Sequence, residues 1–553
     1  MKALFVNPPT WFNMFPPLPL PIIAGYLESL GHNTQVMDLN IDFFQYIFSE
    51  EFVNKFQNEF YSLEKEVTQY KEKKELPENL EKKIEIYNYI VDYAKKSGYE
   101  IDKTKTYCEM YEKVSKDKEQ YFDSWALKIA HYKILIYNEL LLKLQITSTD
   151  LFNEFFERSI EKILNVNADY IGFSMSDVDQ FFYAIRIAKL LKKKTKTPIC
   201  FGGTCINYFY DKKIENKESF HRNIADFLMF GSGELPHKDM AEYIDGKIPI
   251  TKVRNIEYLD KNGKIQRNKT KIVETIPKYF TKYDDLDFSK YYSPQIVLSL
   301  ETTKGCYWHR CAFCTRPTLH EGMQFRKVED VVDDLYNLNE KFNVKYFHLM
   351  DDCIPIKYAE NLANKIMEKN LNIYYMTFMR FEDNMTKEFF QKLYDSGLRL
   401  IIFGLESPDE KRLKYLNKGV KVETYKRILK ECAEIGIKNH ITLIADYPNE
   451  TEEELNGTIN FIKDFSDEIF FVQISQLQLL ENTLMYNNPK KYNISEELIQ
   501  RTKKNGYAKN SLDGKHEELI EEIGIKAMMR GAPPSCLYST GGSLLYALRD
   551  EII

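Results

Sequence analysis

The stretch Ile296-Val-Leu-Ser-Leu-Glu301-Thr-Thr-Lys-Gly-Cys306-Tyr-Trp-His-Arg-Cys311-Ala-Phe-Cys314 decides how the rest of the chain is read. It opens with an apolar run of strand length, and three cysteines follow at once in a segment that Gly305 and its polar neighbours mark as a loop. Thiolates so close in sequence can converge on one metal centre. A structural zinc needs four closed ligands, and the nearest fourth candidate, His309, lies between two of the cysteines where its backbone is already committed. On a four-iron cluster, three thiolates leave one iron open to a substrate or cofactor. Iron–sulfur is the favoured reading and zinc the alternative.

Downstream, short apolar strands near 296–301, 345–350, 373–379, 399–404, 439–445 and 468–475 each precede a helical stretch. This pattern predicts a partial (β/α)6 barrel of TIM type over residues 291–480, with functional groups at the C-terminal strand ends. Asp351 and Asp352 stand there in HLMDDCIP, Arg380 in YYMTFMR, Glu406 in IIFGLES and Asp446 in LIADYPNETEEE. A rim salt bridge is the plain alternative for Arg380 and Glu406, and the Asn-Glu-Thr after Asp446 reads as a helix start.

Upstream, residues 1–45 read as strand, Pro-rich loop, helix and strand, and the α/β pattern resumes over 166–250. Between them, 46–165 reads as a helical insertion with solvated Lys/Glu runs, in which Thr147-Ser-Thr-Asp150 is the expected N-cap of a last helix. The chain is therefore α/β: a Rossmann-like domain over 1–250, a strand-free polar linker over 251–290, the barrel, and a C-terminal cap over 481–553. Loops at Asn7-Pro8-Pro9, Pro17-Leu18-Pro19-Leu20, Gly172 to Ser174, Gly202-Gly203-Thr204 and Gly231-Ser232-Gly233-Glu234 follow in order. Glycines after strands let backbone approach a large flat ligand or a nucleotide tail.

With 553 residues the chain needs several domains, and 44% hydrophobic with 29% charged residues is ordinary for a soluble protein. A net charge of −6 leaves no electrostatic footprint for nucleic acid. MKALFVNPP reads as a first strand rather than a signal peptide, and no apolar run approaches the ~20 residues of a membrane helix. A cytoplasmic location with neither nucleic acid nor membrane as partner is expected. The other six cysteines, Cys108, Cys200, Cys205, Cys353, Cys432 and Cys536, read as packed or exposed thiols.

The cysteine loop and the strand-end residues of 290–485 resemble the radical S-adenosylmethionine superfamily, whose hallmark is three cysteines in one loop after the first strand of a partial barrel. The commonest spacing has three residues in the first gap. Here four separate Cys306 from Cys311, in a form similar to a variant of cobalamin-associated members. The resemblance implies a [4Fe-4S] cluster on Cys306, Cys311 and Cys314. It also implies S-adenosylmethionine held near Phe313 at the adenine, Asp352, Arg380 at the carboxylate and Glu406 at a ribose hydroxyl. Residues 1–250 resemble the cobalamin-binding domain fused upstream of many such enzymes. That implies contacts at Asn7, Pro8, Leu20, Ser174, Gly202, Gly203, Thr204, Gly231, Gly233 and Glu234. The Asp-x-His-x-x-Gly motif carrying a cobalt-ligating histidine is absent and His32 reads as an ordinary loop residue, so cobalamin would have no histidine on its lower face.

The activity implied is methyl transfer to an unactivated carbon of a peptide or natural product. A reduced cluster would cleave S-adenosylmethionine to a radical that abstracts a substrate hydrogen, and methylcobalamin would deliver the methyl. The partners implied are a small-molecule or peptide substrate and an external electron donor. Two other readings stay open: a radical cyclase or rearrangement catalyst without methyl transfer, and a protein that senses cobalamin without catalysis.

Overall fold

The computed structural model describes residues 1–10, 15–70, 78–122, 124–148, 150–269, 276, 278–315, 322–510 and 540–552. Strands β1 (Lys2–Asn7), β2 (Asn33–Asp38), β3 (Tyr170–Ser174), β4 (Ile199–Gly202) and β5 (Phe227–Met229) are parallel, and β6 (Ile256–Leu259) and β7 (Ile265–Arg267) add antiparallel to one edge. The order is β2-β1-β3-β4-β5-β6-β7. From Ala3 onward β1 is wholly buried, as its unbroken apolar run requires when helices cover both faces.

β6 and β7 correct the expectation of a strand-free linker from 251. Ile256 and Tyr258 bury one face into the core under β5, while Glu257 on the other face bonds His221 and Arg267. Strands of three and four residues, mixed with charge, carry too little periodicity to be read as strands.

The insertion is helical, as expected, with helices Glu50–Tyr70, Glu78–Lys96, Thr104–Lys116 and Ser124–Gln145 at its centre. Phe56, Tyr111, Tyr137 and Phe156 join the same core as Phe173, Phe181 and Phe201 of the sheet layer. The capping expectation fails. The helix Asn153–Asn165 starts at Phe152 with no side-chain cap, and Asp150 accepts from the Asn153 amide instead.

The second sheet contains all six expected barrel strands: β8 (Val297–Leu300), then, after a short antiparallel ribbon of β9 (Thr303–Lys304) and β10 (Gln324–Phe325), β11 (Tyr346–Leu349), β12 (Tyr374–Met379), β13 (Leu398–Glu406), β14 (Lys438–Ala445) and β15 (Ile469–Gln476). The order β15-β14-β13-β12-β11-β8 is all parallel, and β8 and β15 are not paired. Side chains alternate. Tyr375, Ile401, Phe403, Ile441 and Leu443 pack with the outer helices, whereas Met376, Leu400 and Ile402 share a core with Leu544 and Leu545 of the C-terminal helix Thr540–Ala547.

Cys108, Cys200, Cys205, Cys353 and Cys432 are buried free thiols. Cys536 lies outside the described residues.

Candidate active site

The cysteine loop leaves β8 under the control of two aspartates at the end of β11. Asp351 accepts from the Thr302 N–H at 2.8 Å, the Thr303 N–H at 2.7 Å and the Thr302 hydroxyl, and burial pushes its carboxyl up to about 6. Asp352 accepts from the Gly305 N–H at 3.0 Å. The far side of the loop is tied to residues 416–419: the Ala312 N–H bonds the Leu416 carbonyl at 2.9 Å, and the Asn417 amide bonds the Arg310 carbonyl at 2.8 Å. Trp308 donates its indole N–H to the Asn417 carbonyl at 2.8 Å and packs so close to Gly419 that a Cβ there would lie 2.1 Å from the ring.

Cys306, Cys311 and Cys314 are half-buried in this loop. A hydrogen bond from the Cys353 thiol, helped by backbone N–H groups of Trp308 and His309, lowers the Cys306 thiol to about 6, so it favours the thiolate that iron requires. Among the described residues no three Cys, His, Asp or Glu side chains gather tightly enough for a single ion. A four-iron cluster takes its thiolates at separate corners of a cube and does not need them at one point, whereas zinc needs four ligands at about 2.0–2.3 Å. His309 does not complete a zinc site. Its Nε2 is buried with no hydrogen-bond partner among the described residues, as a loop built around a missing group would leave it.

Arg380 and Glu406 both lie at strand ends, buried, on the cysteine side of the barrel. The Glu406 carboxylate pairs with buried Lys418 at 3.1 Å, and its backbone, at φ 67°, follows a register shift between β13 and β14. Phe313 packs beside Ala312, Leu416 and Leu477. Asp446 is a buried turn residue ahead of a helix that begins, as expected, with a capping box between Thr451 and Glu454. Trp308, Lys418 and Cys353 were not singled out from sequence as site residues. Cys353 was read only as a packed or exposed thiol.

Between the domains lies a cleft of about 450 Å³. Of the ten positions expected to meet cobalamin, Leu20, Ser174, Gly202, Gly203, Thr204, Gly231, Gly233 and Glu234 line it, and so does Asp352. Asn7 and Pro8 do not. The Asn7 amide bonds Asp38 at 2.9 Å and Gln180 at 3.0 Å, and the Pro8 carbonyl accepts from Gln180 at 2.8 Å, so both brace the first loop from behind.

The glycines also divide. Gly203 sits at φ 97° with the Met175 backbone 2.3 Å from any added Cβ, so it is required by the turn itself. A Cβ on Gly202 would meet nothing nearer than 3.8 Å. His237 lines the cleft with its Nδ1 on the Gly233 carbonyl at 2.7 Å and its ring edge-on to Phe5. His32 lies at the opposite, N-terminal edge of the sheet, just before β2.

The barrel wall of the cleft is charged. Lys304 crosses to Glu234 of the first domain and lies 3.3 Å from Glu301. Burial, reinforced by Glu234, pushes Glu301 up against the opposing pull of Lys304. Despite its burial, Lys304 is held firmly charged by the two carboxylates.

Residues 300–462 match the model of the radical SAM superfamily. An uncharacterized methyltransferase of Pyrococcus horikoshii is 25% identical over 247 residues, covering 43% of this chain and 52% of that protein. The cytidylyl-2-hydroxyethylphosphonate methyltransferase of Streptomyces wedmorensis is 24% identical over 357 residues, covering 55% and 64%. The chain thus spans between half and two-thirds of the length of these relatives. The structure of OxsB, a cobalamin-dependent S-adenosylmethionine radical enzyme with aqua-cobalamin and S-adenosylmethionine bound, aligns with a TM-score of 0.59 at 16% identity, over 98% of this chain and 72% of that one. Residues 300–462 are a radical SAM domain, and the chain as a whole has a fold like that of a cobalamin-dependent radical SAM enzyme.

Proposed function

We propose that the protein is a cobalamin-dependent radical S-adenosylmethionine enzyme that methylates an unactivated carbon of a peptide or natural product. One observation carries the reading: a single cleft has the glycine loops of the Rossmann-like sheet on one wall and, on the other, the strand end that runs directly into the three cysteines. Bound there, the cluster, S-adenosylmethionine and cobalamin would supply one-electron chemistry and a transferable methyl group. The chain's own task is placement. Cys306, Cys311 and Cys314 would hold the cluster, Glu406, Asp352 and Phe313 would position S-adenosylmethionine, and Leu20, Ser174, Gly202 and Gly231 would meet cobalamin. Methyltransferases among the similar proteins support methyl transfer, and the anaerobic magnesium-protoporphyrin IX monomethyl ester cyclases that also match keep cyclisation as the second reading. An external donor would supply the electron.

The test is anaerobic reconstitution with iron, sulfide and hydroxocobalamin, followed by desalting, reduction and addition of S-adenosylmethionine. Retained corrin absorption and release of 5′-deoxyadenosine are expected, together with a product one methylene heavier in extracts of cells carrying the gene. Corrin loss on desalting would sink methyl transfer by this route, and a product without the added methylene would favour the cyclase or rearrangement reading.

A further inference from the structure

The resemblance assigns Arg380 to a cofactor carboxylate, but its surroundings point elsewhere. A guanidinium offers five N–H donors on three nitrogens, and recognition of a carboxylate by its fork needs two parallel donors along one edge. Every nitrogen of Arg380 is already engaged. Nε donates to the Glu382 carboxylate at 3.1 Å, Nη2 donates to the Lys418 carbonyl at 2.6 Å, and Nη1 points at the Cys311 sulfur at 3.9 Å. Three of the five donors are committed, and the two that remain, one on Nη1 and one on Nη2, sit on nitrogens already bonded to other partners.

These partners have one thing in common. Glu382 also accepts the hydroxyl of Tyr307, next to Cys306. Lys418 belongs to the 416–419 segment that clamps the far side of the cysteine loop. The guanidinium carbon lies 4.5 Å from the centre of the Trp308 ring, itself part of the loop. The side chain is only 7% exposed, so its charge is poorly screened by water.

We propose that Arg380 is a positioning residue for the iron–sulfur cluster, donating an N–H···S hydrogen bond to the Cys311 thiolate and raising the reduction potential, rather than a ligand of the S-adenosylmethionine carboxylate. This rests on the cluster assignment above. A donor and a positive charge beside a ligand sulfur stabilise the electron added on reduction, and hydrogen bonds to the sulfurs are among the determinants of cluster potential.

The experiment uses the full chain, reconstituted anaerobically, with iron and sulfide counted first. Failure of the wild type to hold a cluster would refute the functional reading itself, before Arg380 is at issue. Redox titration followed by electron paramagnetic resonance then compares wild type, Arg380→Gln and Arg380→Lys, with S-adenosylmethionine affinity measured in parallel. The expected result is a lower potential for Arg380→Gln, an intermediate one for Arg380→Lys, which keeps the charge without the fork, and a dissociation constant for S-adenosylmethionine within about twofold of wild type. An unchanged potential in Arg380→Gln would overturn the proposal. A tenfold or greater loss of S-adenosylmethionine affinity at unchanged potential would return Arg380 to the carboxylate. If Arg380→Gln fails to assemble a cluster, Arg380→Lys decides alone, and a wild-type potential there refutes the hydrogen bond.

Discussion

Lys304→Met tests whether the ion pair across the cleft holds the two domains together. Lys304 and Glu234 have side chains 10% and 7% exposed, and Glu301 stands 3.3 Å from the same ammonium. Methionine keeps the length of the stem and removes the charge, leaving two buried carboxylates facing each other with no cation between them. Breaking a buried pair by deleting one partner costs about 3–5 kcal/mol, against about 0–1 kcal/mol for an exposed one. At about 1.4 kcal/mol per decade, the equilibrium between docked and opened domains would shift by roughly two to three and a half orders of magnitude. Urea unfolding followed by tryptophan fluorescence reads the first transition, since a multidomain chain need not unfold in one step. The double variant Lys304→Met/Glu234→Gln should recover most of the loss, because a buried pair and its neutral replacement lie close in energy. A single-variant cost below about 1 kcal/mol would show that water reaches the pair. A double variant as unstable as the single would show that the stem of Lys304, rather than its charge, is what matters.

The triple variant Cys306→Ala/Cys311→Ala/Cys314→Ala should fall from about four iron and four sulfide per chain to none after reconstitution, by colorimetric assay; retained iron would place the ligands elsewhere. Glu301, raised from 4.5 to about 7, holds its proton in the folded state while the unfolded chain releases it between those values. Stability should therefore fall as pH rises from about 4.5 to 7, by on the order of 3 kcal/mol. Glu301→Gln should flatten that slope in urea titrations, and an unchanged slope would assign it to other groups. Gly202→Leu has room for its Cβ, whose nearest neighbours stand 3.8 Å away, and with folding checked by circular dichroism should lose most hydroxocobalamin on desalting. Full corrin retention would move the cofactor away from this wall. Glu406→Ala should weaken S-adenosylmethionine binding by about tenfold at unchanged iron content, the order of one charge-assisted hydrogen bond, and unaltered affinity in calorimetry would leave Glu406 a partner of Lys418 alone.

The barrel was legible because each strand is a short apolar run bounded by turn residues and followed by helical spacing, and all six were located within a few residues. The glycine loops were legible for the same reason, since Gly202 to Thr204 and Gly231 to Glu234 directly follow β4 and β5. What sequence did not reveal is which side of a loop a residue serves. Asn7 and Pro8 occupy the expected loop but face Gln180, 173 positions away from Asn7, and no local pattern encodes that contact. Strands β6 and β7 were missed because their alternation lasts only three or four residues. The insertion was recognised as helical, but its merger with the sheet's core depends on aromatic packing between segments far apart in the chain.

Backbone conformation links the separate parts of the site. Among the described residues other than glycine, positive φ is confined to asparagines except at His309, Glu406 and Asp446. Asparagine, aspartate and histidine tolerate that region better than other side chains, so Glu406 is the clearest outlier; such a residue costs of order 1–3 kcal/mol and persists only where surrounding contacts over-determine it. All three exceptions lie on the C-terminal face of the barrel: one between the first two cysteines, one ending β13, one following β14. Each is held by contacts of its own. The His309 stretch is clamped from residues 416–419, Glu406 is fixed by Lys418 and by Tyr447 bonding its carbonyl at 3.1 Å, and the Asp446 N–H is taken by Glu450. Strain of this kind could be relieved by a single substitution to asparagine or glycine if stability alone set the sequence. Its presence at Glu406, with the left-handed turns of His309 and Asp446 around the same mouth, marks this face as the place where the fold gives up stability to aim side chains.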